Sequence, residues 1–168
     1  MRRLIVLLSC AALIAFVPVL TQPAAAAPAG TPAYVIMADL VRGITGPTGS
    51  VCLQTNVFRL GEQVVPRVVV LDALTGSDPG EVGKNVTVIE ERGIKVTMYL
   101  ENGLTFPLRY GRHPGRGDPA TWLWAMGWTI PDDFPTGRLR WWLVVTDKTG
   151  VFVRWDPIGL DPITIERR

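Results

Sequence analysis

From residue 33 onward, apolar side chains recur at every second position in short runs, and Gly, Pro, Asn and Asp punctuate those runs. No helical period is sustained. Residues 34–41 form a first apolar run, closed by Gly43 and the Gly46-Pro47-Thr48-Gly49 turn. Residues 50–58 follow, and Leu60-Gly61-Glu62 bends the chain into residues 63–71. There Val64, Val68 and Val70 share a face with Pro66, while Arg67 points the other way. Pro66 cannot donate to a ladder, so this strand is expected at a sheet edge or with a bulge. Residues 72–83 read as a loop.

Residues 95–101 place Val96, Met98 and Leu100 inward and Lys95, Thr97, Tyr99 and Glu101 outward. Asn102-Gly103 predicts a type I′ turn, because both of its central positions need positive φ. It joins residues 95–101 to 104–110 as a hairpin, with Leu104, Phe106, Leu108 and Tyr110 on one face. Residues 111–120 are irregular, 121–130 strand-like, 131–137 a turn and 139–146 a strand. Residues 147–150 turn into 151–155, and Ile163 and Ile165 belong to a terminal strand. The pattern predicts an all-β sandwich or small barrel of about eight or nine strands, without a helix.

The first twenty-seven residues follow a different pattern. Arg2 and Arg3 precede a run, 4–20, interrupted only by Ser9, Cys10 and Pro18. Thr21-Gln22-Pro23 then breaks it, and Ala25-Ala26-Ala27 supplies the small residues that a signal peptidase accepts. Residues 1–27 are read as a cleavable signal peptide, 28–32 as a flexible Pro/Gly leader and 33–168 as a single domain. The expected location is secreted or periplasmic, with membrane contact only during transit. Cys10 has too little apolar sequence before it for lipidation.

Removing the signal changes the electrostatic picture. The chain has 17 basic and 15 acidic residues, and Arg2 and Arg3 leave with the signal, so the domain carries 15 of each. No basic block remains to neutralise phosphates, which argues against nucleic acid as a partner. Cys52 is then the sole cysteine, and no intrachain disulfide can form. Free Cys is usually buried, and burial is the expectation for Cys52.

Residues 57–76, VFRLGEQVVPRVVVLDALTG, resemble the immunoglobulin-like modules of alpha-2-macroglobulin-type proteins: an aromatic residue, a Gly-Glu pair, a β-rich run, then Asp with Thr-Gly. Residues 130–150, IPDDFPTGRLRWWLVVTDKTG, are similar to the ending of many bacterial immunoglobulin-like domains. Cys52, Phe58-Arg59-Leu60-Gly61, Tyr110-Gly111-Arg112-His113-Pro114 and the Trp-rich strand are also similar to small exported bacterial proteins without assigned function. The resemblance implies an immunoglobulin-like antiparallel β-sandwich. The chain departs from the macroglobulin pattern in having one module, Pro66 within a strand and no Cys-Gly-Glu-Gln sequence, so thioester chemistry is not implied.

Several residues could carry function. Trp122, Trp124, Met126 and Trp128 share parity with Ile130 and project to one face of a regular strand. Exposed, the three indoles would stack on sugar rings; buried, they supply core area, and the apolar continuation of the stripe favours core. Trp141 and Trp142 must point to opposite faces. Leu139, Trp141, Leu143 and Val145 form the inner face, leaving Trp142 outside with Arg140 and Val144 as a contact surface. Arg109, Arg112, His113 and Arg116 lie in or beside the segment 110–118, a basic cluster suited to an acidic partner. Cys52 and His113 are candidate soft-metal ligands for copper, although a blue-copper centre needs a second His. No catalytic constellation stands out. Neither Ser50 nor Ser77 sits in a nucleophile elbow, and no cofactor is expected.

These observations favour an exported binding or accessory module engaging a protein partner in the cell envelope. A carbohydrate-binding module using Trp122, Trp124 and Trp128 is the alternative, and a copper or redox accessory protein using Cys52 and His113 a second.

Overall fold

The computed structural model describes residues 34–43, 52–80, 86–112, 122–158 and 162–167. The signal and leader assigned to 1–32, the turn at 46–49, His113 and Arg116 lie outside the described residues. In chain order the strands are β1 (Tyr34–Arg42), β2 (Val57–Arg59), β3 (Gln63–Asp72), β4 (Lys95–Leu100), β5 (Thr105–Pro107) and β6 (Arg109–Arg112). They continue as β7 (Trp122–Ala125), β8 (Trp128–Thr129), β9 (Gly137–Leu139), β10 (Trp141–Thr146), β11 (Phe152–Trp155) and β12 (Ile163–Glu166). A helix, α1 (Val86–Arg92), lies between β3 and β4. The protein is thus all-β and mostly antiparallel, with almost no helix.

Three sheets share these strands. The first has the order β1-β3-β7-β6, with β8 also on β3; the second is β11-β10-β4-β5; the third is β2-β12-β9. Every pairing is antiparallel except β2 with β12, which is parallel. One core cluster draws on all three sheets: Ile36, Val64, Val68 and Trp124 from the first, Val96, Met98, Leu143 and Val145 from the second, Phe58, Ile163 and Ile165 from the third. The predicted inner faces of residues 63–71, 95–101 and 139–145 are all buried.

Pro66 sits at neither an edge nor a bulge. β3 is an interior strand, paired with β1 along its whole length and with β7 and β8 on the other side. Gly43 donates to the Gln63 carbonyl and Ile130 to that of Glu62, so odd residues of β3 face β1 and even ones face β7 and β8. The missing N–H of Pro66 therefore points at the second neighbour, and there the expected strand 121–130 is interrupted. Val68 pairs with Trp124 and Val64 with Trp128, one register on both sides of the gap. The partner strand breaks opposite the proline instead of the proline strand bending. Gln63 fills the outer side of this region. A Cβ on Gly43 or on Gly127 would meet its side-chain amide, so a substitution at either would displace the end of the Gln63 side chain.

The Asn102-Gly103 hairpin forms with a different turn. Leu100 donates to the Leu104 carbonyl and Gly103 to that of Leu100, giving a three-residue loop, Glu101 to Gly103. Gly103 has φ 91°, whereas Asn102 is not among the positive-φ residues, so the turn is not type I′. Instead the Asn102 side chain accepts from the Leu104 amide. The second arm does not stay in one sheet. β5 pairs with β4, and past Leu108 the chain crosses into the first sheet as β6, which pairs with β7. β6 extends strand structure to Arg112, two residues into the stretch expected to be irregular.

Helix α1 was not foreseen. It ends in a Schellman arrangement: Ile94 donates to the Ile89 carbonyl and Gly93, at φ 62°, to that of Glu90. Ile89 and Ile94 are both buried. Arg92 in the last turn forms an ion pair with Asp72 at 3.2 Å and lies over the Tyr34 ring. Tyr34 donates to Asp147 at 2.7 Å, so the helix, β1 and the β10–β11 turn are tied together.

Candidate functional site

β10 runs between β11 and β4 in the second sheet, and its alternation turns Trp142 to the outer face. Tyr99, its cross-strand neighbour on β4, stacks on the indole with ring centroids 5.8 Å apart and planes 5° from parallel. On the β11 side, the Arg154 guanidinium lies 4.6 Å from the Trp142 centroid. The indole therefore stands in a stack, and its free part is its edge. Arg154 is held in turn by Asp156, with bonds of 2.9 and 2.7 Å. This bond from Arg154 holds the Asp156 carboxyl below the usual carboxylate range.

Trp142, Arg154 and Asp156 line a cleft of about 370 Å³. Arg140, Glu101, Pro157 and Pro162 line it as well. Arg140 is positioned by its backbone: its amide donates to the Glu101 carboxylate at 2.9 Å, and its carbonyl accepts from the Glu101 amide. Its exposed guanidinium has no ion pair among the described residues. Trp141 also lines the cleft, but its ring turns inward, 3% exposed, against Trp155, and its buried Nε1 has no partner among the described residues.

Trp142 and Arg140 are thus brought together as a contact surface. Val144, expected beside them, is buried instead, between Thr97 and Arg154 on the flanking strands. Arg109 and Arg112 are exposed on β6, in the first sheet, and do not line the cleft. With His113 and Arg116 outside the described residues, the expected basic cluster is represented by those two arginines. The cleft residues Arg154, Asp156, Pro157 and Pro162 had no individual signal in the sequence. Strand alternation alone places Arg154 on the same outer face as Trp142.

The tryptophan row does not form a platform. Trp124 is 5% exposed and belongs to the core, while Trp122 is half-buried. Tyr110 is wedged against both, tilted 34° to Trp122 and 51° to Trp124. The strand break after Ala125 separates Trp128 from them, and it packs on Phe106 and Phe134. Three exposed coplanar indoles, which stacking along a sugar chain requires, are not presented. Leu123, on the opposite face, is buried as well.

Cys52 is exposed, contrary to the expectation for a free thiol. It sits in a turn at φ 59°, its amide bonded to the Arg42 carbonyl. Among the described residues no three His, Cys, Asp or Glu side chains gather as a metal site, and no helix is long and apolar enough to cross a membrane. Comparisons with protein-family models, curated proteins and solved structures found no match to this chain.

Proposed function

We propose that this chain is an exported binding or accessory module that engages a protein partner through the Trp142–Arg140 cleft. One observation carries the reading: two residues expected on an outer surface from strand parity alone line the same concavity. The cleft combines an aromatic edge, two prolines, two carboxylates and a guanidinium without an ion pair among the described residues, the mixture of apolar anchor and directional polar groups found at protein-binding surfaces. Tyr99 and Arg154 stiffen Trp142, so little side-chain freedom is lost on contact.

The immunoglobulin-like reading belongs to this proposal. Antiparallel sheets over a shared core support it. So does the role of the Gly-Glu pair in the resembling segment: Gly61 has φ 78°, and Glu62 is buried as a structural anchor. The signal-like pattern of residues 1–27 supports export, and a mature protein whose first residue is Pro28 is the expected product by N-terminal sequencing.

A photo-crosslinking residue at position 140, introduced in the producing cell, tests the cleft. A discrete protein adduct that disappears when Trp142→Ala is added is the expected result. Adducts unaffected by that change, or none at all, would refute the assignment.

A further inference from the structure

We infer that the N-terminal half of β1 is a self-complementary sheet edge through which two copies of this chain pair antiparallel, two-fold about Ile36. β1 is the outermost strand of the first sheet. Its odd residues bond to β3, as the Gly43 to Gln63 bond shows, so its even residues turn their N–H and C=O groups outward. At the C-terminal end those groups are covered by the chain itself. Arg42 donates to the Leu53 carbonyl, Cys52 to that of Arg42, and Thr55 to that of Leu40. Tyr34, Ile36 and Ala38 have no such partner among the described residues.

The other sheet edges carry the devices that discourage pairing. β6 has Arg109 and Arg112, β11 has Arg154, and β5 is three residues long and ends in Pro107. β2 and β9 are three residues each, with Arg59 and Arg138. β1 has none of these over residues 34–38, Tyr-Val-Ile-Met-Ala, although it is nine residues long. On the outer face of this window Val35 and Met37 are 48% and 57% exposed, beside the half-buried Leu71 and Val69 of β3.

A second copy fits this edge by symmetry. With Ile36 opposite Ile36 of the partner subunit, Tyr34 meets Ala38 of the partner subunit, large against small. Val35 then covers Met37 of the partner subunit, and both outward rows of donors and acceptors are matched. Charge does not oppose the approach. The window holds no acidic or basic side chain, the next residue, Asp39, is held by Arg67 of its own sheet, and without residues 1–27 basic and acidic residues balance at 15 each. Pairing stops at Leu40, where Thr55 occupies the edge.

Sedimentation equilibrium on the purified exported form tests this, with hydrogen exchange at the amides of 34, 36 and 38. A dimer is expected whose dissociation constant rises roughly ten-fold in Met37→Lys, because two cross-strand pairs are lost per dimer. The same three amides should be protected as concentration rises, and Met37→Lys should keep the wild-type circular dichroism. A monomer at every concentration up to the solubility limit overturns the inference. So does a dimer indifferent to Met37→Lys, or protection of those amides that is independent of concentration.

Discussion

A carboxylate withdrawn from water has to be matched, and Glu62 is matched by the Arg42 side chain at 3.1 Å and the Arg59 amide at 2.9 Å. Arg42 belongs to β1 and Arg59 to β2, so one side chain joins the first sheet to the third. Glu62→Ala would leave both donors without that acceptor, and a loss of about 3 kcal/mol in urea denaturation is expected. A loss below about 1 kcal/mol would place the pair with ordinary surface contacts. At the cleft, a double-mutant cycle of Tyr99→Ala and Trp142→Ala should give a coupling of about 1 kcal/mol for the stacked rings. Additive effects would mean that Trp142 is held by something other than this stack.

Single elements show how far alternation can be read from sequence. β1, β3, β4 and β10 were legible because each is a period-two run whose inner residues fill the core. The runs that divided were not legible. The one local mark of a break in residues 121–130 is Gly127; Pro66, which the gap lies opposite, is more than fifty residues away in sequence and one strand away in space. Residues 104–110 change sheets for a similarly non-local reason, since periodicity says which face a residue occupies and nothing about which sheet. α1 had a readable stop in Arg92-Gly93, but seven residues are too few for helical period to emerge. Gly93→Ala tests that stop: φ of 62° is unfavourable for an L-side chain, and a loss of about 1 kcal/mol is expected by thermal or chemical denaturation. No loss would mean that the helix end is set by Ile94 burial alone.

For the molecule as a whole, the network around Tyr34 predicts a stability profile limited on both sides of neutral pH. Burial pushes the Asp72 carboxyl up, but bonds from the Leu74 amide, Arg92 and the Thr75 amide outweigh it and leave it low. Asp147 is likewise lowered, burial being outweighed by Thr149, Tyr34 and Val151. These contributions are complete above the ordinary carboxylate range and are lost as pH falls through the lowered values. Burial, then the bond to Asp147, raises the Tyr34 hydroxyl above its ordinary 10.0, so its contribution is present below that pH and is lost as pH rises. Thermal midpoints should therefore fall at both extremes, and Tyr34→Phe should flatten the alkaline limb. An unchanged alkaline limb in that variant would assign it to other groups. At this scale the sequence was legible as all-β, while the three-sheet layout and the gathering of the cleft depend on pairings between distant segments. The parallel union of β2 with β12 has a temporal consequence. A polypeptide emerging from its N-terminus, from a ribosome or through a narrow channel, can wind β1, β3 and even β10 into place while β2 and β9 still lack the strand that lies between them. The interior is missing Ile163 and Ile165 until that moment. The third sheet therefore cannot close before residues 163–166 are in place.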